Sequence, residues 1–199
     1  MLVERDDRVG VVLMNRPKQL NALSGELMGA VVEALVQLDG DDEVRAIVLG
    51  GGNELQMACD LAVMADDAFI RHVGPEHGSV PAGGATQWLP VFVGDRRARE
   101  IIYMCEQISP AQAAEWGLIN WAVPAAELDA KVDEVVEKLA AKLPQTTRYA
   151  KQQLNFWRDL SWHETVNHAR DWLALSMLGD EAQEAVKAFL RREGPDRRQ

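Results

Sequence analysis

Cysteine is scarce in this chain: only Cys59 and Cys105 occur among 199 residues. Both lie in apolar surroundings, so they read as reduced core thiols, with a disulfide as the alternative. Long apolar runs are missing as well. Nothing approaches the roughly 20 residues needed to span a bilayer, and no membrane partner is expected. The start, Met1-Leu2-Val3-Glu4-Arg5-Asp6-Asp7, is too acidic and too poor in apolar residues for a signal peptide. These features together place the protein in the cytoplasm. Basic charge is in deficit, with 21 Lys and Arg against 31 Asp and Glu and a net charge of −10, which argues against nucleic acid. Local basic patches remain at Arg96, Arg97 and Arg99, and at Arg191, Arg192, Arg197 and Arg198. They fit a solvated face or a frayed tail, and equally a phosphorylated ligand. No Cys/His cluster has metal-ligand spacing, so no metal is expected. No low-complexity linker and no internal repeat interrupt the chain.

Apolar residues make up 47% of the chain, enough for one substantial core. Residues 2–4 and 9–15 predict a hairpin around Arg5-Asp6-Asp7-Arg8. Ser24 is a candidate N-cap. Leu27, Met28, Val31, Val32, Leu35 and Val36 then recur at helical spacing toward Asp39-Gly40. Residues 46–49 predict a short buried strand, 53–65 a mostly helical stretch, and 68–70 another short strand. Two helices are expected at 87–93 and 96–105, divided at Gly94. Ser109-Pro110 should start another helix, ending at Gly117. Residues 119–123 predict a strand closed by Pro124. From Glu127 the pattern is nearly all helical, broken at Pro144 and Gly179-Asp180. The reading is α/β over 1–124 and helical over 125–199.

The densest chemical signal is Gly50-Gly51-Gly52-Asn53-Glu54-Leu55-Gln56-Met57-Ala58-Cys59-Asp60. The apolar run Ile47-Val48-Leu49 leads straight into three glycines. Such a turn lets backbone approach a ligand closely. It also exposes N–H groups where a helix begins, which favours negative charge. Glu54 follows Gly51 by three residues, about one helical turn. A donor for an oxyanion and a general acid/base are thus fixed near one point. Equally, Glu54 could be a glutamate that the helix dipole favours, and Gly51 a turn glycine. The glycines lack the Lys-Ser/Thr of a P-loop and the GxGxxG pattern of a dinucleotide turn.

This block resembles the crotonase (enoyl-CoA hydratase/isomerase) family, and three further blocks do so in the same order. They are Arg16-Pro17-Lys18-Gln19-Leu20-Asn21-Ala22-Leu23-Ser24, Pro81-Ala82-Gly83-Gly84-Ala85-Thr86-Gln87, and Ala-Gln-Ala-Ala-Glu-Trp-Gly-Leu-Ile-Asn ending at Asn120. The resemblance implies a crotonase-like spiral of ββα units with a helical C-terminal oligomerisation region. It implies an acyl-CoA thioester as substrate, coenzyme A being part of that substrate, with no permanently bound cofactor. It implies enolate chemistry with Gly51 as oxyanion donor, Glu54 as acid/base, and Gly50, Gly52 and Gly83 lining the substrate. Family members form trimers and dimers of trimers. The apolar positions Leu154, Trp157, Leu160, Trp172, Leu173, Leu175, Met177 and Leu178 would serve that purpose here, or else pack within their own subunit.

Two departures qualify the resemblance. In the family a long segment separates the strand ending near Leu49-Gly50 from the triple glycine, and it supplies the second oxyanion N–H. Here the strand meets the glycines directly, either because the protein carries a true deletion or because a mobile segment of the protein is missing from this sequence. Losing one of two donors would cost ~3–4 kcal/mol of transition-state stabilisation. The second departure is in His72-Val73-Gly74-Pro75-Glu76-His77-Gly78-Ser79-Val80-Pro81. Gly74 stands where hydratases carry a second catalytic glutamate, seven residues before Pro81, and would open space for a ring. Glu76 or His77 could replace that carboxylate, or simply form a polar loop. Ser79 could bond a substrate carbonyl or cap a turn. The run is similar to that of oxocyclohexene-carbonyl-CoA hydrolases and dihydroxynaphthoyl-CoA synthases, although Pro81 replaces the synthase aspartate. The expected function is enoyl-CoA hydration. Ring-opening hydrolysis of an alicyclic acyl-CoA and an inactive scaffold are the alternatives.

Overall fold

The computed structural model describes residues 1–16 and 23–191. Residues 17–22, within the first resembling block, and Arg192, Arg197 and Arg198 lie outside the described residues. Strands β1 (Leu2–Asp6) and β2 (Val9–Leu13) form the expected hairpin, antiparallel, with Leu2 opposite Leu13. Strand β3 (Ala46–Gly50) joins β2 in parallel, with Val9 opposite Ala46 and Leu13 opposite Gly50. Helix α1 (Gly25–Asp39) is capped as expected, Ser24 Oγ accepting from the Leu27 N–H at 3.2 Å. Its apolar face covers the sheet. Val31, Leu27 and Met14 meet on one side, and Ala34, Leu38 and Val12 on the other. Gly10 on β2 faces Leu38 so closely that a Cβ would collide with the leucine methyls, so α1 lies tight on the strand.

Between β3 and the second core lies helix α2 (Asn53–Ala58). This corrects the reading of 53–65 as mostly helical. The helix ends at Cys59, and β4 (Val63–Ala65) follows as a strand. Strand β4 pairs in parallel with β5 (Trp121–Val123), a second sheet separate from the first. Residues 68–70 form no strand of their own; Ile70 makes an isolated bridge to Ile108. Strand β5 starts two residues later than the apolar pattern suggested, its ladder with β4 beginning at Trp121, and Asn120 Oδ1 accepts from the Ala62 N–H just before it.

Helices α3 (Ala85–Val93) and α4 (Asp95–Met104) divide at Gly94, whose φ of 80° only glycine adopts readily. Helix α5 (Pro110–Glu115) carries a complete capping box between Ser109 and Gln112. Met57 of α2, Trp88 and Leu89 of α3, Ile101 and Ile102 of α4 and Ala113 of α5 build the larger core. Cys105 is buried and Cys59 half-buried, and both are free thiols.

Helices α6 (Leu128–Ala140), α7 (Pro144–Leu178) and α8 (Asp180–Arg191) complete the described chain. Pro144 begins α7, where its missing N–H costs nothing. No residue of this 35-residue helix is fully buried. It is anchored along one stretch of α3. Trp162 stacks on Trp88 with centroids 5.0 Å apart, Trp88 Nε1 donates to Asp159 Oδ1 at 3.1 Å, and Gln87 Nε2 donates to Thr165 Oγ1 at 3.0 Å. Elsewhere it presents Leu154, Trp157 and Leu178 at 70%, 72% and 76% exposure. No helix among the described residues is long and apolar enough to cross a membrane.

Candidate active site

The passage from β3 to α2 takes two residues, Gly51 and Gly52. Their φ values, 125° and 60°, lie where an L side chain is strained, so both positions need glycine. Gly50 still belongs to the sheet edge, its carbonyl accepting from the Met14 N–H at 3.3 Å. The Gly52 carbonyl accepts from Gln56 N–H at 3.0 Å and closes the first turn of α2. The Gly51 N–H meets no acceptor among the described residues, and Gly51 and Gly52 are exposed. Among the described residues this donor is therefore unspent.

Glu54 lies on the first turn of α2, half-buried. Its carboxylate makes no hydrogen bond or ion pair among the described residues. Burial alone pushes its pKa up, since a desolvated carboxylate without a compensating partner disfavours charge. The sign for stability follows. The folded state holds the proton more tightly than the unfolded chain. Ionised Glu54 therefore weakens the fold, and that cost grows as pH rises through the ordinary carboxylate range toward the raised folded value. A carboxyl group tuned upward without a structural bond is equipped to exchange a proton with a ligand.

The second glycine turn supplies the other wall. Gly83 lies directly against Glu54, and a Cβ there would collide with the Glu54 carboxylate. Gly84, at φ 100°, faces the rings of Trp88 and Trp162 and lets the turn sit on the core. The structure thus brings Glu54, on the turn that begins with Gly51 and Gly52, against Gly83, 29 residues further on in the other block.

The loop before that turn is folded on itself. The Gly74 carbonyl accepts from the His77 and Ser79 N–H groups at 3.0 and 2.9 Å. A Cβ on Gly74 would lie 2.7 Å from the Ser79 carbonyl oxygen and 3.6 Å from the Pro81 ring. The space expected at Gly74 is thus filled by the loop's own backbone. Glu76 pairs with Arg71 at 2.6 Å, and Arg71 also donates to the Cys105 carbonyl at 2.6 Å. His77 is half-buried, Ser79 is exposed, and Pro81 is half-buried. Gly78, at φ 67°, seats Ala182 of α8.

Sequence reasoning passed over Asn53 and His72. Asn53 Nδ2 and His72 Nε2 are 2.6 Å apart, and His72 is 7% exposed. Burial lowers the His72 pKa and keeps the ring neutral near physiological pH. A lone histidine in a loop carries no spacing signal, and its partner lies 19 residues away.

Comparison with known proteins follows this geometry closely. The sequence profile of the enoyl-CoA hydratase/isomerase family matches residues 4–51 and 48–199. The two pieces meet where β3 runs into the glycines. A probable enoyl-CoA hydratase of Mycobacterium bovis is 25% identical over 247 aligned positions, spanning 98% of this chain and 96% of that protein. This chain has 199 residues, so at least 48 of those positions face none of them. Two solved structures superpose with TM-scores of 0.89. One is an enoyl-CoA hydratase from Mycobacterium avium subsp. paratuberculosis, 22% identical, covering 98% of this chain and 96% of that one. The other is an enoyl-CoA hydratase/isomerase from Pseudoalteromonas atlantica, 20% identical, covering 98% of each chain.

Proposed function

This chain belongs to the enoyl-CoA hydratase/isomerase family and has the crotonase fold, and from that premise we propose that it hydrates an α,β-unsaturated acyl-CoA thioester. The observation that carries the reading is the upward-shifted Glu54 carboxyl, without a partner among the described residues, three residues after a Gly51 N–H that likewise has none. Glu54 takes a proton from water as the water oxygen bonds the β-carbon. The alkene π pair becomes the enolate bond between the α-carbon and the carbonyl carbon, and the carbonyl π pair moves onto the thioester oxygen, where the Gly51 N–H stabilises it. The same carboxyl then returns the proton to the α-carbon, so one group serves as base and acid. Gly50, Gly52, Ser79, Pro81 and Gly83 frame the acyl group, while Gly74 shapes the loop behind them. Coenzyme A enters and leaves with the substrate.

The exposed apolar residues of α7 support self-association as a trimer or hexamer. Leu154, Trp157 and Leu178 leave 70%, 72% and 76% of their surface exposed, and burial between subunits would remove them from water.

A second reading is favoured by the alignment. At least 48 positions of the Mycobacterium bovis relative have no counterpart here, and the profile match breaks at residues 48–51. A site short of one oxyanion donor would bind acyl-CoA and turn it over poorly, which is the behaviour of a scaffold. Calorimetry and turnover on linear and cyclic enoyl-CoAs separate the two readings. Binding with turnover supports the hydratase, binding without turnover supports the scaffold, and no binding refutes both.

A further inference from the structure

Helix α2 carries the candidate acid/base and is seated on the core by one buried side chain, Met57. It is six residues long, far below the ~12–15 at which an isolated helix becomes even marginal in water. Its N-cap is Gly52, which offers no side-chain bond. Among the described residues Glu54 makes no bond of its own. The position of its carboxylate is therefore the position of the helix. At the C-terminal end, Arg158 of α7 donates to the Ala58 carbonyl at 3.4 Å. At the N-terminal end the strongest tie is from Asn53, the first helical residue and the immediate neighbour of Glu54, to His72.

We propose that His72 is a positioning residue for Glu54, acting through Asn53. The Asn53 amide nitrogen can only donate, so His72 Nε2 accepts, and the ring proton is on Nδ1. Gln56 Nε2 approaches Asn53 Oδ1 at 3.5 Å and completes the amide's partners from the next turn. His72 leads into the Gly74–Ser79 loop, which in turn leads to Gly83 against the carboxylate. The Asn53–His72 bond thus ties the helix carrying Glu54 to the loop whose far end abuts it. This rests on Glu54 being the reactive group, as proposed above, while the tie itself is readable without turnover.

The experiment titrates Glu54 directly. Protein labelled with ¹³C at the glutamate carboxyl is followed by NMR against pH, with Glu54→Gln identifying the resonance. Wild-type protein should titrate above the ordinary carboxylate range. His72→Leu keeps bulk and removes the acceptor, so the midpoint should fall toward the ordinary range as α2 shifts and the carboxylate gains water. His72→Gln places an amide oxygen at similar reach and should restore the wild-type midpoint. In turnover of enoyl-CoA, His72→Leu should lower kcat by about tenfold to 10²-fold with KM little changed, and His72→Gln should recover it. Should His72→Leu not fold, Asn53→Ala removes the same bond and is read in the same way. A folded variant lacking the bond but titrating as wild type overturns the proposal, as does His72→Gln behaving like His72→Leu. If wild-type protein turns over no enoyl-CoA, the functional reading fails, and the titration still decides the inference.

Discussion

The two walls of the candidate site are built on opposite principles. On the α2 wall the polar groups are left unspent: the Gly51 N–H has no acceptor, and the Glu54 carboxylate has no partner among the described residues. On the loop wall they are consumed. Gly74 takes two backbone N–H groups, Glu76 is paired with Arg71, and Gly78 carries the weight of α8. A buried or half-buried polar group left without a partner is costly, and proteins tolerate few of them. The group that is kept at a cost marks the chemistry, and the group that is satisfied marks the support. By that test we propose Glu54 as the reactive carboxylate and place Glu76, paired with Arg71, in the frame.

Apart from replacing Glu54 itself, the largest effect should come from joining the two walls by force. Gly83→Ala drives a methyl into the Glu54 carboxylate, whose flexible end can yield. The fold should hold, while kcat for enoyl-CoA drops about 10²-fold from a misplaced acid/base. Thermal unfolding and turnover on the same preparation check both halves. Glu54→Gln should sharpen the contrast through stability. It removes a carboxylate whose charge the fold disfavours, so the variant should gain thermal stability over wild type at neutral pH, and the gain should vanish below the ordinary carboxylate range. A pH series of melting temperatures reads this sign. The smallest effect belongs to the supporting wall. Glu76→Gln loosens a pair with side chains 35% and 40% exposed, worth ~0.2–1 kcal/mol, and turnover should stay within about twofold. A severe loss there would reverse the comparison.

What the sequence displayed and what it concealed divide along the same physical line. Local signals were legible. Ser24 caps α1, Ser109 and Gln112 box α5, and Gly94 parts α3 from α4, because each needs only neighbours within a turn. Non-local ones were not. Residues 59–65 looked helical because their apolar spacing continues that of α2, and only pairing with Trp121–Val123, far along the chain, makes β4 a strand. The Gly51–Glu54 block was legible, since its spacing fixes donor and carboxylate on one turn. Its contact with Gly83 was not, and neither was His72, whose meaning lies entirely in the Asn53 amide it meets. Gly74 shows the same limit from the other side. Sequence offered an opening there, and the Ser79 carbonyl closes it.

The central claim is that the unspent carboxyl of Glu54 performs the proton transfer. The most direct test compares Glu54→Gln with wild type in enoyl-CoA hydration, alongside calorimetric binding of a saturated acyl-CoA. The amide keeps shape and removes the base. The account predicts that kcat falls ~10²–10⁴-fold while affinity changes little. Turnover by Glu54→Gln near that of wild type, on linear and cyclic substrates alike, would contradict it.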